Sequence, residues 1–390
     1  MTELSRRAPQ DVNIKAGDAA SKDFYDAARQ SYSNRPGLLQ EFHESFSGMR
    51  AVRLGNLPDV DNLFTNMDSD GVGTKIEIAE RVQDHSTVAH DLFAMACDDA
   101  VVRGAEPVTI NTVLEVNSLG KEDDPDELKA YIHRCMQELA VGYVAAARSA
   151  KVVISGGEIA EVGDRVGGHG PFNYNWSATI SWLAHEKRVL TGHQINPGDT
   201  LIGLAEQGFR SNGITDVRKA MLEEYGEQWH DKTIEGLGNV TLGRLIQRPS
   251  IIYSGFMSEL TGGYDITRKP MAKITGAAHI TGGGQPSKLG RMLEPSGLGV
   301  EIANPIAPPN IMLMMQQLRN YDDRTAYNKW HMGPGMVIAT PEPDAVLEAA
   351  DEYGISAQEI GKVTSKSGIR IRNSGAGNDS KWLNFSPDAA

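Results

Sequence analysis

Cysteine is nearly absent: Cys97 and Cys135 are the only two in 390 residues. Two cysteines cannot build a disulfide framework, and no CxxC pair is present to hold zinc. No apolar run reaches the roughly 18 residues needed to span a bilayer. The opening stretch MTELSRRAPQDVNIKAGDAA has no apolar signal-peptide core. These absences describe a reduced, cytoplasmic protein with no membrane partner. Basic residues are also in the minority, 38 against 51 acids, for a net charge of −13. A general nucleic-acid binder needs a basic face for phosphates, so nucleic acid is excluded as the expected partner. No GxxxxGK[ST] sequence occurs, so a Walker A nucleotide loop is absent.

Glycine is in excess. Its 41 residues are about one in ten, against an average near ~7%. Apolar residues make up 40%, enough to build a packed core. Strand patterns fall at 62–67, 108–116, 152–155, 177–183, 201–204, 332–339 and 368–371. Helical patterns fall at 21–30, 88–103, 126–150, 214–225, 286–293 and 344–353. The polar, turn-rich stretch HEKRVLTGHQINPGD (185–199) separates two halves. The expected fold is therefore α/β (α+β) in two lobes. Each lobe is a mixed sheet with packed helices, and the ligand cleft lies between them. The boundary falls between 1–184 and 185–390, with a frayed polar tail from about residue 373.

Three acids interrupt the apolar helix pattern at 88–103: Asp91, Asp98 and Asp99. At about 100° per residue, Asp91 and Asp98 share a face to within about 20°, and Asp99 lies on the same side. Buried carboxylates need a cation or a partner. Oxygen-only ligands fit Mg²⁺, and the alternatives are caps, solvent, or a pair with Arg103. The loop Asp68-Ser69-Asp70-Gly71-Val72-Gly73-Thr74-Lys75 offers Asp70 to a metal, backbone N–H groups of Gly71, Gly73 and Thr74 to phosphate, and Lys75 as a point charge. An ordinary turn is the other reading. Ser211-Asn212-Gly213 and Thr281-Gly282-Gly283-Gly284 each precede a helix, where free N–H groups attract phosphate. Tight packing is the other reading of the three consecutive glycines. Arg210 adds a bidentate donor, and His279 is either a proton-transfer group or a structural histidine. Gly17 and Asp18, in an AGD turn, join the nucleotide-binding set. Glu158 and Glu161 follow Gly156-Gly157 at a strand end, where open α/β sheets place ligand groups.

Taken in order, DGVGTK, DLFAMACDDAVVRGAEP, GGEIAEV, SNG, HITGGG and GPGM resemble the aminoimidazole ribonucleotide synthetase (phosphoribosylformylglycinamidine cyclo-ligase) family. The resemblance runs from about Val12 to Arg372. It implies a two-lobed homodimer whose N-terminal domain binds ATP and metal. The implied reaction is closure of the imidazole ring of formylglycinamidine ribonucleotide with ATP and Mg²⁺, through phosphoryl activation of the formyl oxygen. By the same resemblance Asp70 is a metal ligand, Lys75 faces phosphate, and Glu158 and Glu161 match the family's paired glutamates. Exchanging Asp70 or Lys75 is then expected to impair activity without unfolding the chain. The sequence departs from the family pattern at Asp98 (usually Asn), Ile159, Val162 and Gly163 (usually Thr, Met and Pro), Arg210 (usually His) and His331 (usually Asn). These departures leave two alternatives: an ATP-using sibling acting on another small substrate, or a nucleotide-binding homologue without catalysis.

Overall fold

The computed structural model describes residues 13–42, 48–377 and 380–386. Val12, where the resemblance begins, and residues 387–390 of the polar tail lie outside the described residues.

A short hairpin of β1 (Leu39–Glu41) and β2 (Arg50–Val52) precedes the N-terminal lobe. That lobe is a four-stranded sheet of β3 (Leu63–Gly71), β4 (Glu106–Val116), β5 (Val153–Glu161) and β6 (Tyr174–His185), in the order β3-β6-β4-β5. β4 and β5 run parallel, and the crossover that parallel pairing requires is α4 (Asp126–Ala150). Asp126 and Glu127 open α4 and Arg148 closes it, each with the sign that suits the helix dipole. α1 (Ile14–Gln30), α2 (Ile76–Val82) and α3 (Val88–Val101) complete the lobe. α3 is apolar nearly all round and packs on α4, β3, β6 and the second-lobe helix Ser254–Thr261. Its Leu92 and Phe93 are fully buried, each contributing about 2 kcal/mol of apolar burial.

The second lobe is a seven-stranded sheet in the order β13-β12-β9-β11-β7-β10-β8. Its strands are β7 (Thr200–Ala205), β8 (Gly276–His279), β9 (Gly299–Ile302), β10 (Pro334–Thr340), β11 (Ala357–Thr364), β12 (Gly368–Arg372) and β13 (Trp382–Phe385). Only β12–β9 is parallel among these pairs. The helices are α5 (Ile214–Tyr225), α6 (Leu242–Gln247), α7 (Ser254–Thr261), α8 (Gly284–Leu293), α9 (Asn310–Leu318), α10 (Asp323–Lys329) and α11 (Pro343–Glu352). Val101 of α3 enters the apolar cluster beneath α7, so the two lobes share core. No helix among the described residues is long and apolar enough to cross a membrane.

Three local expectations need correction. The tail from residue 373 is not wholly frayed: β13 pairs antiparallel with β12, burying Leu383 and Phe385. The strand through residues 62–67 does not stop at the acidic loop. β3 continues to Gly71, so Asp68 and Asp70 are strand residues on one face. The first helix begins at Ile14, capped by Asn13, whose side chain accepts from the Ala16 N–H.

Candidate functional site between the lobes

Four of the sequence motifs meet along the seam between the lobes. The Thr74 hydroxyl hydrogen-bonds the Thr215 hydroxyl at 2.7 Å, joining DGVGTK to the helix after SNG. Asn212 packs against Gly282, joining SNG to TGGG. His279, the residue two before Thr281, reaches across to Asp99. Other expected members stand elsewhere. Gly17 and Asp18 lie in the first turns of α1, where the Gly17 N–H already bonds the Asn13 carbonyl. Glu158 and Glu161 lie within β5, separated from β3 by two strands. Glu158 is exposed at a separate crevice of about 310 Å³, and Glu161 accepts the N–H groups of Asn13 and Leu119.

The acids of α3 divide by position. Asp91 Oδ1 accepts from Lys75 Nζ at 2.7 Å and from the Ser250 N–H and hydroxyl at 3.0 and 2.6 Å. Asp98 Oδ1 accepts the N–H groups of Tyr253 and Ser254 at 2.9 and 2.8 Å, and its Oδ2 faces Arg210 Nη2 at 3.1 Å. Both carboxylates are buried, and both fasten the 250–254 segment of the second lobe to α3. They were expected as metal ligands; here Asp91 Oδ1 and both Asp98 oxygens are engaged as interlobe ties. Lys75 differs from expectation for the same reason. It is 3% exposed, and its ammonium also donates to the carbonyls of Phe209 and Arg248, each at 2.7 Å. With three acceptors, all donors of the ammonium are used inside the protein.

Asp99 and Asp68 line the opening, with Asp70 beside them on the face of β3 that Asp68 shares. Asp70 is half-buried, and its pKa is raised, first by burial and further by the nearby Asp99. Asp99 is pushed up by burial but pulled further down by His279, Lys288 and Arg210, so it stays ionised. His279 Nδ1 lies 2.6 Å from Asp99 Oδ1, and its Nε2 lies 2.7 Å from Arg210 Nη2. A guanidinium can only donate, so Nε2 accepts and Nδ1 carries the hydrogen given to Asp99. Burial, then the Arg210 charge, pushes the imidazole down to about 4. His279 is therefore neutral near pH 7 with both nitrogens occupied, and it orients Asp99 rather than carrying protons. Arg210 Nη1 also bonds Glu206 Oε2 at 2.8 Å. One guanidinium thus serves two buried carboxylates. Burial raises both of them, Asp98 to about 7.

Packing accounts for several of the glycines. Gly213 has φ +79°, and a Cβ there would meet the Trp330 ring at 2.6 Å. A Cβ on Gly284 would meet the Tyr327 carbonyl oxygen at 1.9 Å. Gly282 is exposed and uncrowded. Close by, the Ser211 hydroxyl and the Asn212 side-chain amide oxygen (Oδ1) are buried without hydrogen-bond partners. Sequence reading passed over Glu206 and Ser250, which carry no motif; only their contacts to Arg210 and Asp91 reveal them.

Among the described residues no group of three His, Cys, Asp or Glu is arranged to hold a metal. The pair Asp70 and Asp99 nonetheless suits Mg²⁺, which takes one or two carboxylates together with phosphate oxygens and waters. Neither thiol is a nucleophile: Cys97 and Cys135 are buried, and burial raises both, Cys135 to about 11.

The family model described as AIR synthase related protein, N-terminal domain, matches residues 57–177, and the C-terminal domain model matches residues 196–373. The chain is 33% identical over 306 residues to a phosphoribosylformylglycinamidine cyclo-ligase of Bacillus cytotoxicus, covering 77% of this chain and 80% of that one. A Bacillus cereus (strain G9842) protein of the same name matches to the same extent. In fold, the chain is similar to thiamine-monophosphate kinase from Stenotrophomonas maltophilia K279a, with TM-score 0.57, 13% identity, and coverage of 91% of this chain and 97% of that one. It is likewise similar to E. coli HypE, a hydrogenase maturation protein, with TM-score 0.54, 17% identity, and 96% of each chain covered. The matched models, the relatives' identity and the shared two-lobed fold agree: the chain belongs to the AIR synthase related family.

Proposed function

We propose that this protein is an ATP-dependent cyclo-ligase that converts formylglycinamidine ribonucleotide to aminoimidazole ribonucleotide, ADP and phosphate. The observation that carries the reading is the meeting of DGVGTK, SNG, HITGGG and the exposed Asp99 at one seam, in a chain 33% identical to relatives bearing that name. Phosphoryl transfer to the formyl oxygen, followed by attack of the substrate's own amine on that carbon, requires positioning and charge neutralisation rather than a protein nucleophile. The buried thiols agree with that requirement. Asp70 and Asp99 would hold Mg²⁺, which neutralises charge on the transferring phosphoryl group. His279 and Arg210 keep the Asp99 carboxylate ionised and aimed at the opening. The Ser211 hydroxyl and the Asn212 side-chain amide oxygen, both without partners beside the exposed Gly282, would turn to the nucleotide or substrate. Lys75 acts one layer back, by holding Asp91 and the 209 and 248 backbone in place.

A homodimer fits the uncovered face of the four-stranded sheet, where Met67 and Val113 stand 67% and 42% exposed. The deciding experiment is a coupled assay with purified protein, ATP, Mg²⁺ and formylglycinamidine ribonucleotide. ADP and the aminoimidazole product are expected in equal amounts. ATP binding without product would overturn the substrate assignment and favour a sibling activity.

A further inference from the structure

A crevice of about 550 Å³ opens between the lobes, bounded by β3 and α3 on one side and by β8 and α8 on the other. That volume falls within the range of small-molecule sites. Its wall is charged in two zones. Asp68 and Asp99 form one, and Arg103, Lys288 and Arg291 form the other. None of the three cations has an ion pair or side-chain hydrogen bond among the described residues.

The cations are also crowded. Lys288 and Arg291 are three residues apart on α8 and so share a face. Lys288 is half-buried, and its ammonium is held below the ordinary lysine range, first by burial and then by the Arg291 charge. Arg103 approaches from the end of α3 on the opposite wall. Like charges gathered with only the Asp99 carboxylate to offset them at Lys288 cost stability in the free protein. An anion in the crevice removes that cost. A phosphate dianion matches it best, because guanidinium groups bind its oxygens in pairs and an ammonium adds a point charge. The acidic zone repels the same group, which fixes the orientation of any phosphorylated ligand.

We propose that Arg103, Lys288 and Arg291 form the binding site for the phosphate of a small phosphomonoester substrate, with the rest of that ligand extending toward Asp68 and Asp99. The assignment rests on the cyclo-ligase reading only for the ligand's identity. A phosphate could equally come from a nucleotide, so the test separates the two sources. Calorimetric titrations would compare ribose 5-phosphate, ribose and ADP on the full-length protein and on Lys288→Gln/Arg291→Gln, with Arg103→Gln as an independent variant on the opposite wall.

Ribose 5-phosphate is expected to bind and ribose is not. The double variant should weaken ribose 5-phosphate by about tenfold or more, as lost charge-assisted contacts require, while ADP affinity stays unchanged. Thermal midpoints should hold or rise, because repulsion has been removed; a structural role would lower them. Equal binding of ribose 5-phosphate by wild type and variants overturns the site, as does its failure to bind wild type. A loss confined to ADP overturns its assignment to the substrate. Selective ribose 5-phosphate loss, with no turnover of formylglycinamidine ribonucleotide, would leave this site standing and remove the cyclo-ligase reading.

Discussion

Arg210 and Asp98 are ion-paired at 3.1 Å in the closed seam between the lobes, and both stand where the family pattern carries other residues, His and Asn. Two departures that look independent in the sequence are one contact in the fold. A carboxylate in place of an amide adds buried negative charge, and a guanidinium in place of an imidazole supplies the permanent positive charge to match it. Asp98 stays buried behind the opening, and Arg210 reaches Asp99 only through His279.

The two substitutions should therefore be coupled. Asp98→Asn and Arg210→His alone are each expected to destabilise by about 2–4 kcal/mol, since each leaves a buried charge short of its partner. The double variant should cost clearly less than their sum. Urea melts of the four proteins measure the coupling, and strict additivity would show that the pair is incidental.

Lys75→Ala should act on stability before it acts on nucleotide. Removing the ammonium leaves Asp91 and two buried carbonyls short of a donor, a loss of about 3–5 kcal/mol by comparison with other broken buried pairs. Thermal melts would show a large fall in midpoint. A wild-type midpoint with a raised KM for ATP would instead restore Lys75 to the phosphates.

Asp70→Asn and Asp99→Asn should fold normally, because both carboxylates lie at the opening. Activity should fall by about tenfold or more, and the Mg²⁺ concentration for half-maximal rate should rise, since each loses a charged oxygen from a hard-cation site. Asp91→Asn should instead lower the melting point. Unchanged Mg²⁺ dependence in Asp70→Asn would remove it from the metal site.

The stability contributed by two buried histidines should decline as pH falls from about 6.5 to 4. His85 and His331 are buried, and burial pushes each down to about 4. Between those values the unfolded chain binds protons that the folded chain refuses, so stability present above 6.5 is lost on acidification, by at most about 3 kcal/mol per histidine. His85 Nδ1 bonds the Tyr174 hydroxyl at 2.9 Å. His85→Asn keeps a polar partner for Tyr174 without titrating there. Its unfolding free energy should fall less steeply between pH 7 and 5 than that of wild type. Equal slopes would exclude His85 as a contributor.

Local pattern was enough to place the long helix 126–150, the helix 214–225 and the strand through 108–116, because their periodicities are strong and their ends are marked. It was not enough for β9 and β13, strands of four residues each, nor for β11, whose partners β7 and β9 are distant in sequence. Nor could it show that β3 runs on to Gly71, since that extension follows from pairing with β6 rather than from composition. The glycine motifs were visible, but not which glycines answer to Trp330 and Tyr327 and which is left open.

The sequence by itself determined the family, the α/β character and the set of charged residues with chemistry to offer. Those properties are written in residue type and spacing along one chain. The tertiary structure alone decided how the acids of α3 are used. Asp91 and Asp98 share a face of that helix, but their fate depends on Lys75, Ser250, Tyr253 and Arg210, which arrive from up to about 160 positions away. A buried carboxylate takes whichever cation or N–H the fold brings to it, and sequence spacing holds no record of that meeting.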